Sequence, residues 1–255
     1  MSISPHTEHS DSSNGRSLLQ AEKLVKVYGG RAVVNGIDIN LNRGEIVGLL
    51  GPNGAGKTTT FYMIVGLVRP NGGRVFFEGK DVTDWPMYKR ARMGMGYLPQ
   101  EESIFRKLTV EENLMAILET TRMNKVQRKN RCEELLVQFG IEHVARQKAL
   151  TLSGGEKRRL TIARSLVTQP NFLMLDEPFA AVDPIAVFEL QRIVENLRDA
   201  GLAILITDHK ARETLSIVDR AYLIHEGRVL SQGSKEFLSN DPISRKIYLG
   251  ESFSM

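Results

Sequence analysis

Four short patterns in this 255-residue chain carry the residue types that hold and cleave a chain of phosphates. They are, in order, the glycine-rich residues 51–58, Gln100, residues 152–156 and the acidic pair 176–177, and His209 follows them. Lysine, hydroxyl, amide and carboxylate groups together can bind a nucleotide, ligate a divalent cation and orient an attacking water. Their combination predicts a protein that hydrolyses ATP with the help of Mg²⁺.

The first pattern, residues 51–58, fits the phosphate-binding motif G-x-x-x-x-G-K-T. An apolar run at 45–50 predicts a strand before it, and a helix is expected from residue 56 to about 65. Loop N–H groups would then face phosphate oxygens, Lys57 would reach the β- and γ-phosphates, and the Thr58 hydroxyl would ligate Mg²⁺. The residues expected to bind the nucleotide here are Gly51, Pro52, Asn53, Gly54, Ala55, Gly56, Lys57, Thr58 and Thr59.

The acidic pair follows an apolar run at 171–175. Asp176 ends this predicted strand, where a buried carboxylate is costly without a partner, and we expect Mg²⁺ to be that partner. Glu177 points in a different direction and is placed to orient the attacking water or to accept its proton. Alone, such a pair could simply begin a helix, but the phosphate-binding motif earlier in the chain favours the catalytic interpretation.

The third pattern reads LSGGE at 152–156 and precedes a predicted helix at 157–166. In isolation it would be a loop with a helix cap. In a chain that already has one phosphate-binding loop, Ser153, Gly154 and Gly155 form a second anion site at a helix start. Two anion sites for one γ-phosphate make sense if they come from two different subunits.

The remaining patterns indicate an α/β fold, a P-loop NTPase core whose mostly parallel sheet is flanked by helices. We expect an N-terminal antiparallel β subdomain, a helical subdomain inserted at about 85–165, and a disordered tail at 1–17 before one ATPase domain at 18–255. The predicted strands are 19–27, 32–40, 45–50, 74–77, 171–175, 202–207 and 221–225. The predicted helices are 56–65, 110–122, 124–139, 157–166 and one that Asp183 caps and Gly201 ends.

Composition sets limits on location and partners. No apolar run reaches the ~20 residues that span a bilayer, and the polar start of the chain is no signal peptide. We therefore expect a soluble, cytoplasmic protein that meets a membrane only through partners. The single cysteine, Cys132, has helical spacing to Leu135, Leu136 and Phe139, which predicts a buried thiol rather than a reactive one.

The net charge of +4 is mild, and its densest basic cluster lies at 125–131. No aromatic residues that could stack on bases interleave with it, so it is interpreted as a solvated helix face and no nucleic-acid partner is expected.

From residue 18 to about 240, the patterns above resemble the ATPases of the ABC transporter family. The resemblance implies that residues 152–156 close on ATP held by the other subunit of a homodimer, which gives two competent sites. It also implies that Tyr28 stacks on adenine and that Gln100 touches Mg²⁺ and the attacking water. Asp183 would lie in the loop that crosses between subunits, and His209 would bind the γ-phosphate.

Segments 97–110, 176–185, 206–215 and 248–253 are similar to the ATP-binding subunits of lipopolysaccharide export transporters. That resemblance implies a homodimer beneath two different transmembrane permease subunits, on the cytoplasmic face of the inner membrane. It places Phe105 and Arg106, just after Gln100, in the groove that receives a membrane partner. Three departures are the tail of about 17 residues, the pair at 180–181, which reads Ala-Ala rather than Ala-Gly, and differences in detail at 157–165.

Three alternatives remain open at this stage. An importer of branched-chain amino acids would have an ATPase of similar sequence. A soluble ABC ATPase acting on ribosomes or DNA is disfavoured by the single phosphate loop and the lack of sustained heptads. A small-molecule P-loop kinase would have no use for residues 152–156. The cargo itself cannot be identified from this chain, because cargo contacts belong to other subunits.

Overall fold

Two β-sheets divide the strands of the protein, for which a computed structural model describes residues 6–7, 17–101, 103–180 and 182–250. The strands are β1 (His6–Thr7), β2 (Leu19–Tyr28), β3 (Arg31–Leu41), β4 (Ile46–Leu50), β5 (Gly72–Phe77), β6 (Lys80–Asp81), β7 (Met95–Leu98), β8 (Phe172–Asp176), β9 (Ala203–Thr207), β10 (Arg220–His225) and β11 (Arg228–Ser234). The larger sheet has the order β1-β11-β10-β4-β9-β8-β7, and the smaller sheet has the order β3-β2-β5-β6.

Five of the eight helices named below begin at a residue whose side chain caps the helix. The helices are α1 (Lys57–Val65), α2 (Met87–Arg92), α3 (Val110–Leu118), α4 (Lys125–Gln138), α5 (Gly154–Ser165), α6 (Pro184–Asp199), α7 (Ala211–Leu215) and α8 (Lys235–Asn240), followed by short turns at Pro242–Ser244 and Arg245–Leu249. Reciprocal capping boxes start α3 at Thr109, α4 at Asn124 and α5 at Ser153. Each box satisfies backbone N–H groups that a helix start would otherwise leave unpaired.

The larger sheet explains how distant motifs meet. Its strands β10, β4, β9, β8 and β7 run parallel, and every residue of β4, β8 and β9 is buried, as continuous apolar strands covered on both faces should be. The carboxyl ends of parallel strands lie at one edge, where such folds bind ligands. Residues 51–58 follow β4, Gln100 follows β7, Asp176 ends β8 and His209 follows β9.

The smaller sheet is antiparallel throughout. Its β2–β3 hairpin turns at Gly29 and Gly30, both with positive φ, which places Tyr28 at the turn. The expected α/β fold with an N-terminal antiparallel subdomain is therefore confirmed.

Strand β7 of the larger sheet lies within residues 85–165, the interval that was expected to be helical. The sequence hides it because Gly96 interrupts the apolar run. The structure shows why a glycine is there: a Cβ at residue 96 would lie 2.9 Å from a methyl carbon of Leu173 on β8. The long helices of the interval begin only at Val110, with α3.

Of the expected disordered tail, residues 1–5 and 8–16 lie outside the described residues. His6 and Thr7 form β1 and pair in parallel with Ser231 and Gln232 of β11, which differs from the prediction for these two positions. Cys132 is buried as predicted, and burial raises the pKa of its thiol to about 11. Among the described helices, none has the length and apolar character needed to cross a membrane.

The C-terminal end of helix α1, which begins with Lys57, contacts a buried guanidinium, that of Arg90. Arg90 donates to the carbonyls of Met63 (2.8 Å) and Ile64 in the last turn of α1, and also to those of Thr83 and Trp85 (both 2.9 Å). Burial lowers the pKa of Arg90 to about 10, yet the group stays charged at neutral pH. A cation at a helix C-terminus is favourable, and removal of the guanidinium would leave the buried carbonyls of Met63 and Ile64 without this donor.

We therefore expect Arg90→Met to lower the free energy of unfolding by about 3 kcal/mol, since it leaves these acceptors without a donor. Urea unfolding followed by circular dichroism measures the change. Arg92→Met removes the same charge from an exposed position of α2 and should cost less than about 0.5 kcal/mol. Equal losses in the two variants would contradict the structural role of Arg90.

Candidate functional site

The loop between β4 and α1 is shaped by three glycines whose backbone conformation side-chain-bearing residues rarely adopt. Gly51 (φ 146°), Gly54 (φ 77°) and Gly56 (φ 105°) all have positive φ. A Cβ on Gly56 would lie 2.6 Å from the carbonyl oxygen of Val33, so the loop can pack this closely only with glycine. The loop then leads directly into the N-terminus of α1, whose free N–H groups can bind an anion.

Lys57 begins α1 and is buried. Its Nζ donates to the carbonyl oxygens of Gly51 (2.7 Å) and Pro52 (3.0 Å), which holds the ammonium against the loop. Burial lowers the pKa of Lys57, while the negative charges of Glu177 and Asp176 act in the opposite direction. The next two residues of the helix, Thr58 and Thr59, are exposed and half-buried respectively.

Asp176 ends β8 with only 3% of its surface exposed. Its Oδ1 accepts a hydrogen bond from the Thr207 hydroxyl (2.7 Å). Burial raises the pKa of Asp176, so a cation beside it would compensate the cost of keeping the charge. Carboxylate, hydroxyl and amide oxygens, which Asp176, Thr58 and Gln100 carry, are the kinds of ligand that suit Mg²⁺.

Two other predicted catalytic side chains, those of Gln100 and His209, meet at Glu177. Its Oε2 accepts a hydrogen bond from Gln100 Nε2 (2.8 Å) and lies 3.2 Å from His209 Nδ1. The residue has φ 47°, an uncommon conformation for a side-chain-bearing residue, and its N–H donates to the carbonyl of Thr207 (2.8 Å). An acidic oxygen aimed into a cluster of an amide and an imidazole can polarise a water for attack.

Sequence reasoning missed two buried side chains that bond to the backbone next to Glu177 and His209. Arg158 of α5 donates through Nε to the carbonyl of Pro178 and through Nη2 to that of Glu177, both at 3.0 Å. Asp208 accepts from the N–H groups of Phe179 and Lys210, both at 2.9 Å, and burial raises its pKa. The sequence at 157–159 is a run of three basic residues, and nothing in it indicates that Arg158 is buried.

Ser153, Gly154 and Gly155 begin α5, and the first two are exposed. The Ser153 hydroxyl and N–H are bonded to the carboxylate of Glu156 at the start of the same helix (2.7 and 2.8 Å). Asp183 is also exposed and caps α6 by accepting from the N–H of Ala186 (3.0 Å). These helix starts therefore present polar groups to solvent rather than joining the cluster around Glu177.

Three further predicted positions lie on the surface. Tyr28 is half exposed, with Lys26 Nζ 5.2 Å from its ring centroid, so its ring offers an accessible flat face. Phe105 is 45% exposed and Arg106 is exposed beside it. An exposed aromatic next to a cation is typical of a surface that binds another protein.

The chain has clear similarity to known proteins. Residues 34–180 match the ABC transporter family. The chain is 51% identical over 238 residues to the lipopolysaccharide export system ATP-binding protein LptB of Acidithiobacillus ferridurans, which covers 93% of this chain and 99% of that protein. It is 54% identical over 237 residues to a probable ABC transporter ATP-binding protein of Azorhizobium caulinodans, with 93% of this chain and 84% of that protein covered.

Among solved structures, the protein is similar to the ADP conformation of an ATP-binding cassette of an ABC transporter. The TM-score is 0.84 at 28% sequence identity, and the likeness covers 93% of this chain and 100% of that chain.

Proposed function

Because this chain belongs to the ABC transporter family, we propose that it is the ATP-hydrolysing subunit of a transporter that extracts lipopolysaccharide or a related envelope lipid from the inner membrane. The observation that carries the ATPase role is the convergence of Gln100 and His209 on one carboxylate oxygen of Glu177. The relatives named above favour the lipid cargo over the branched-chain amino acids considered from the sequence.

In this proposal ATP binds along the edge of the larger sheet. The loop at 51–59 surrounds the phosphates, and Lys57 moves its ammonium from the loop carbonyls to the β- and γ-phosphate oxygens. Adenine stacks on the exposed ring of Tyr28, a contact worth about 1–3 kcal/mol. Thr58, Gln100 and Asp176 would hold Mg²⁺, which when bound neutralises charge on the phosphates.

Hydrolysis then depends on the cluster at Glu177. Its carboxylate accepts a proton from the attacking water, while Gln100 orients that water through its amide. His209 lies on the other side of the same carboxylate oxygen and can donate a hydrogen bond to the γ-phosphate. Arg158 fixes the backbone carbonyl of Glu177 and so limits the positions that its side chain can reach.

Closure of two copies completes each site. The exposed helix start at Ser153, Gly154 and Gly155 would meet the γ-phosphate held by the other copy, and its N–H groups and hydroxyl suit an anion. Asp183, exposed at the start of α6, would cross the same interface. A symmetric dimer of this kind has two identical composite sites.

Coupling to transport requires membrane subunits, which we place against Phe105 and Arg106. The ring of Phe105 would fill an apolar pocket beside a partner helix, and Arg106 would pair with a carboxylate or a helix C-terminus. The protein would then sit on the cytoplasmic face of the inner membrane, held there by its partners.

The test of this function is Phe105→Ala. We expect it to lose at least about 2 kcal/mol of partner binding, roughly a 30-fold weakening, because a central aromatic anchor is removed. Co-purification of the membrane subunits with the tagged chain measures the loss, and lipid export in cells should fail with it. Leu67→Ala truncates an exposed apolar side chain just after α1 and should leave assembly intact. Normal assembly and export with both Phe105→Ala and Arg106→Ala would exclude the proposed docking site.

A further inference from the structure

The C-terminal end of helix α5 contacts the loop that carries Phe105, and ATP hydrolysis as proposed above assigns no role to this contact. Arg164, in the last turn of α5, donates through Nη1 to the carbonyl of Ser103, and its guanidinium carbon lies 4.6 Å from the centroid of the Phe105 ring. A guanidinium over an aromatic face is an attractive contact, and here it comes from a half-buried arginine. We call residues 103–108 the docking loop.

The docking loop is held by α3, by α5 and by the turn at Ala149–Thr151, where the N–H groups of Ala149 and Leu150 donate to the carbonyls of Leu108 (2.9 Å) and Arg106 (3.0 Å). Asn113 of α3 fixes the backbone of Phe105: its Oδ1 accepts from the N–H of Phe105 (2.8 Å) and its Nδ2 donates to the carbonyl (3.0 Å). Arg164 of α5 instead holds the carbonyl of Ser103 and the ring of Phe105. The ring position, which would face a partner, is therefore tied to α5.

The other parts of α5 reach the hydrolysis site. Its cap is Ser153, and its second turn carries Arg158, which bonds the carbonyls of Glu177 and Pro178. The helix has 12 residues, so its ends are about 18 Å apart and are joined by one continuous hydrogen-bonded element. A shift of the docking loop that moves Arg164 is consequently passed to Ser153 and to the backbone of Glu177.

We propose that Arg164 is a positioning residue that couples the docking loop to Glu177 and Ser153 through α5. This deepens the proposed function, which assigns Phe105 and Arg106 to partner binding but gives no path from them to the nucleotide. Coupling of this kind is reciprocal, so ATP binding at residues 51–59 must also alter the docking loop when no partner is bound.

Hydrogen exchange of the isolated chain tests this inference. In Glu177→Gln protein, we expect saturating Mg·ATP to change the exchange rates of amides at 103–108 by at least about threefold relative to Mg·ADP. Adding Arg164→Met should abolish that response, and Arg164→Lys, which keeps the charge, should restore part of it. Arg131→Met is the matched control, since Arg131 also donates to a carbonyl beside α5, that of Leu166 (3.2 Å), and should keep the full response.

A full ATP response in Arg164→Met protein, or no response in the parent, would overturn the inference. If Arg164→Met protein does not fold, Phe105→Leu protein tests the coupling instead, because this substitution removes only the ring that Arg164 contacts. A lost response in Phe105→Leu, with Phe105→Trp unchanged, supports the coupling, and an unchanged response in Phe105→Leu rejects it. The experiment contains no membrane subunit, so failure of the partner assignment at Phe105 would leave its result intact.

Discussion

Glu177→Gln protein is expected to bind ATP as the parent does and to hydrolyse it at least about 100-fold more slowly. The amide preserves the shape of the side chain and removes the charge that accepts a proton from water. Gln100 and His209 would remain in place, because each can still bond to an amide oxygen. Removing one negative charge beside the triphosphate should also make the ATP-bound state longer-lived.

Phosphate release under saturating Mg·ATP measures hydrolysis, and fluorescence titration with an ATP analogue measures binding. Glu119→Gln neutralises an exposed carboxylate at the end of α3 and should keep the parental rate. Hydrolysis by Glu177→Gln within about threefold of the parent, which corresponds to ~0.65 kcal/mol, would show that another group activates the water.

Two inactive variants are expected to regain activity when mixed. Lys57→Ala removes the lysine that grips the phosphates, and Ser153→Arg blocks the helix start that meets the γ-phosphate of the other copy. In a mixed dimer, one composite site carries both defects and the other carries none. With random pairing half of the dimers are mixed, so the mixture should recover up to about a quarter of the parental rate.

Each variant measured alone provides the baseline, at the same total protein concentration and the same Mg·ATP. If Ser153 acted within its own subunit, every chain in the mixture would remain defective. A mixture no faster than the mean of its two components would therefore contradict the composite site.

The order of elements made much of the site predictable. Residues 51–58, Asp176 and His209 each follow an apolar run, and parallel strands carry such positions to one edge of a sheet. The helix caps at Asp183 and Ser153 were also predictable, because a capping side chain bonds to an N–H group only two or three residues further along the chain. These predictions needed only neighbouring residues.

The supporting groups were not predictable, because their roles depend on contacts between distant elements. Arg158 is buried where α5 meets the carbonyls of Glu177 and Pro178 after β8, and Asp208 accepts from the N–H of Phe179, 29 residues earlier in the chain. The strand β7 was missed for the same reason. A glycine is needed at residue 96 because the side chain of Leu173, on another strand, leaves no room for a Cβ there. Burial by a remote partner leaves no periodic mark in the sequence.

Light scattering of Glu177→Gln protein tests most directly whether ATP closes two copies of this chain around composite sites. The slow hydrolysis expected for this variant keeps ATP bound during the measurement, so a closed dimer can accumulate. We predict that Glu177→Gln protein has the mass of two chains in saturating Mg·ATP. The double variant that also carries Ser153→Arg should have the mass of one chain. The mass of a single chain in saturating Mg·ATP at high protein concentration would contradict the account.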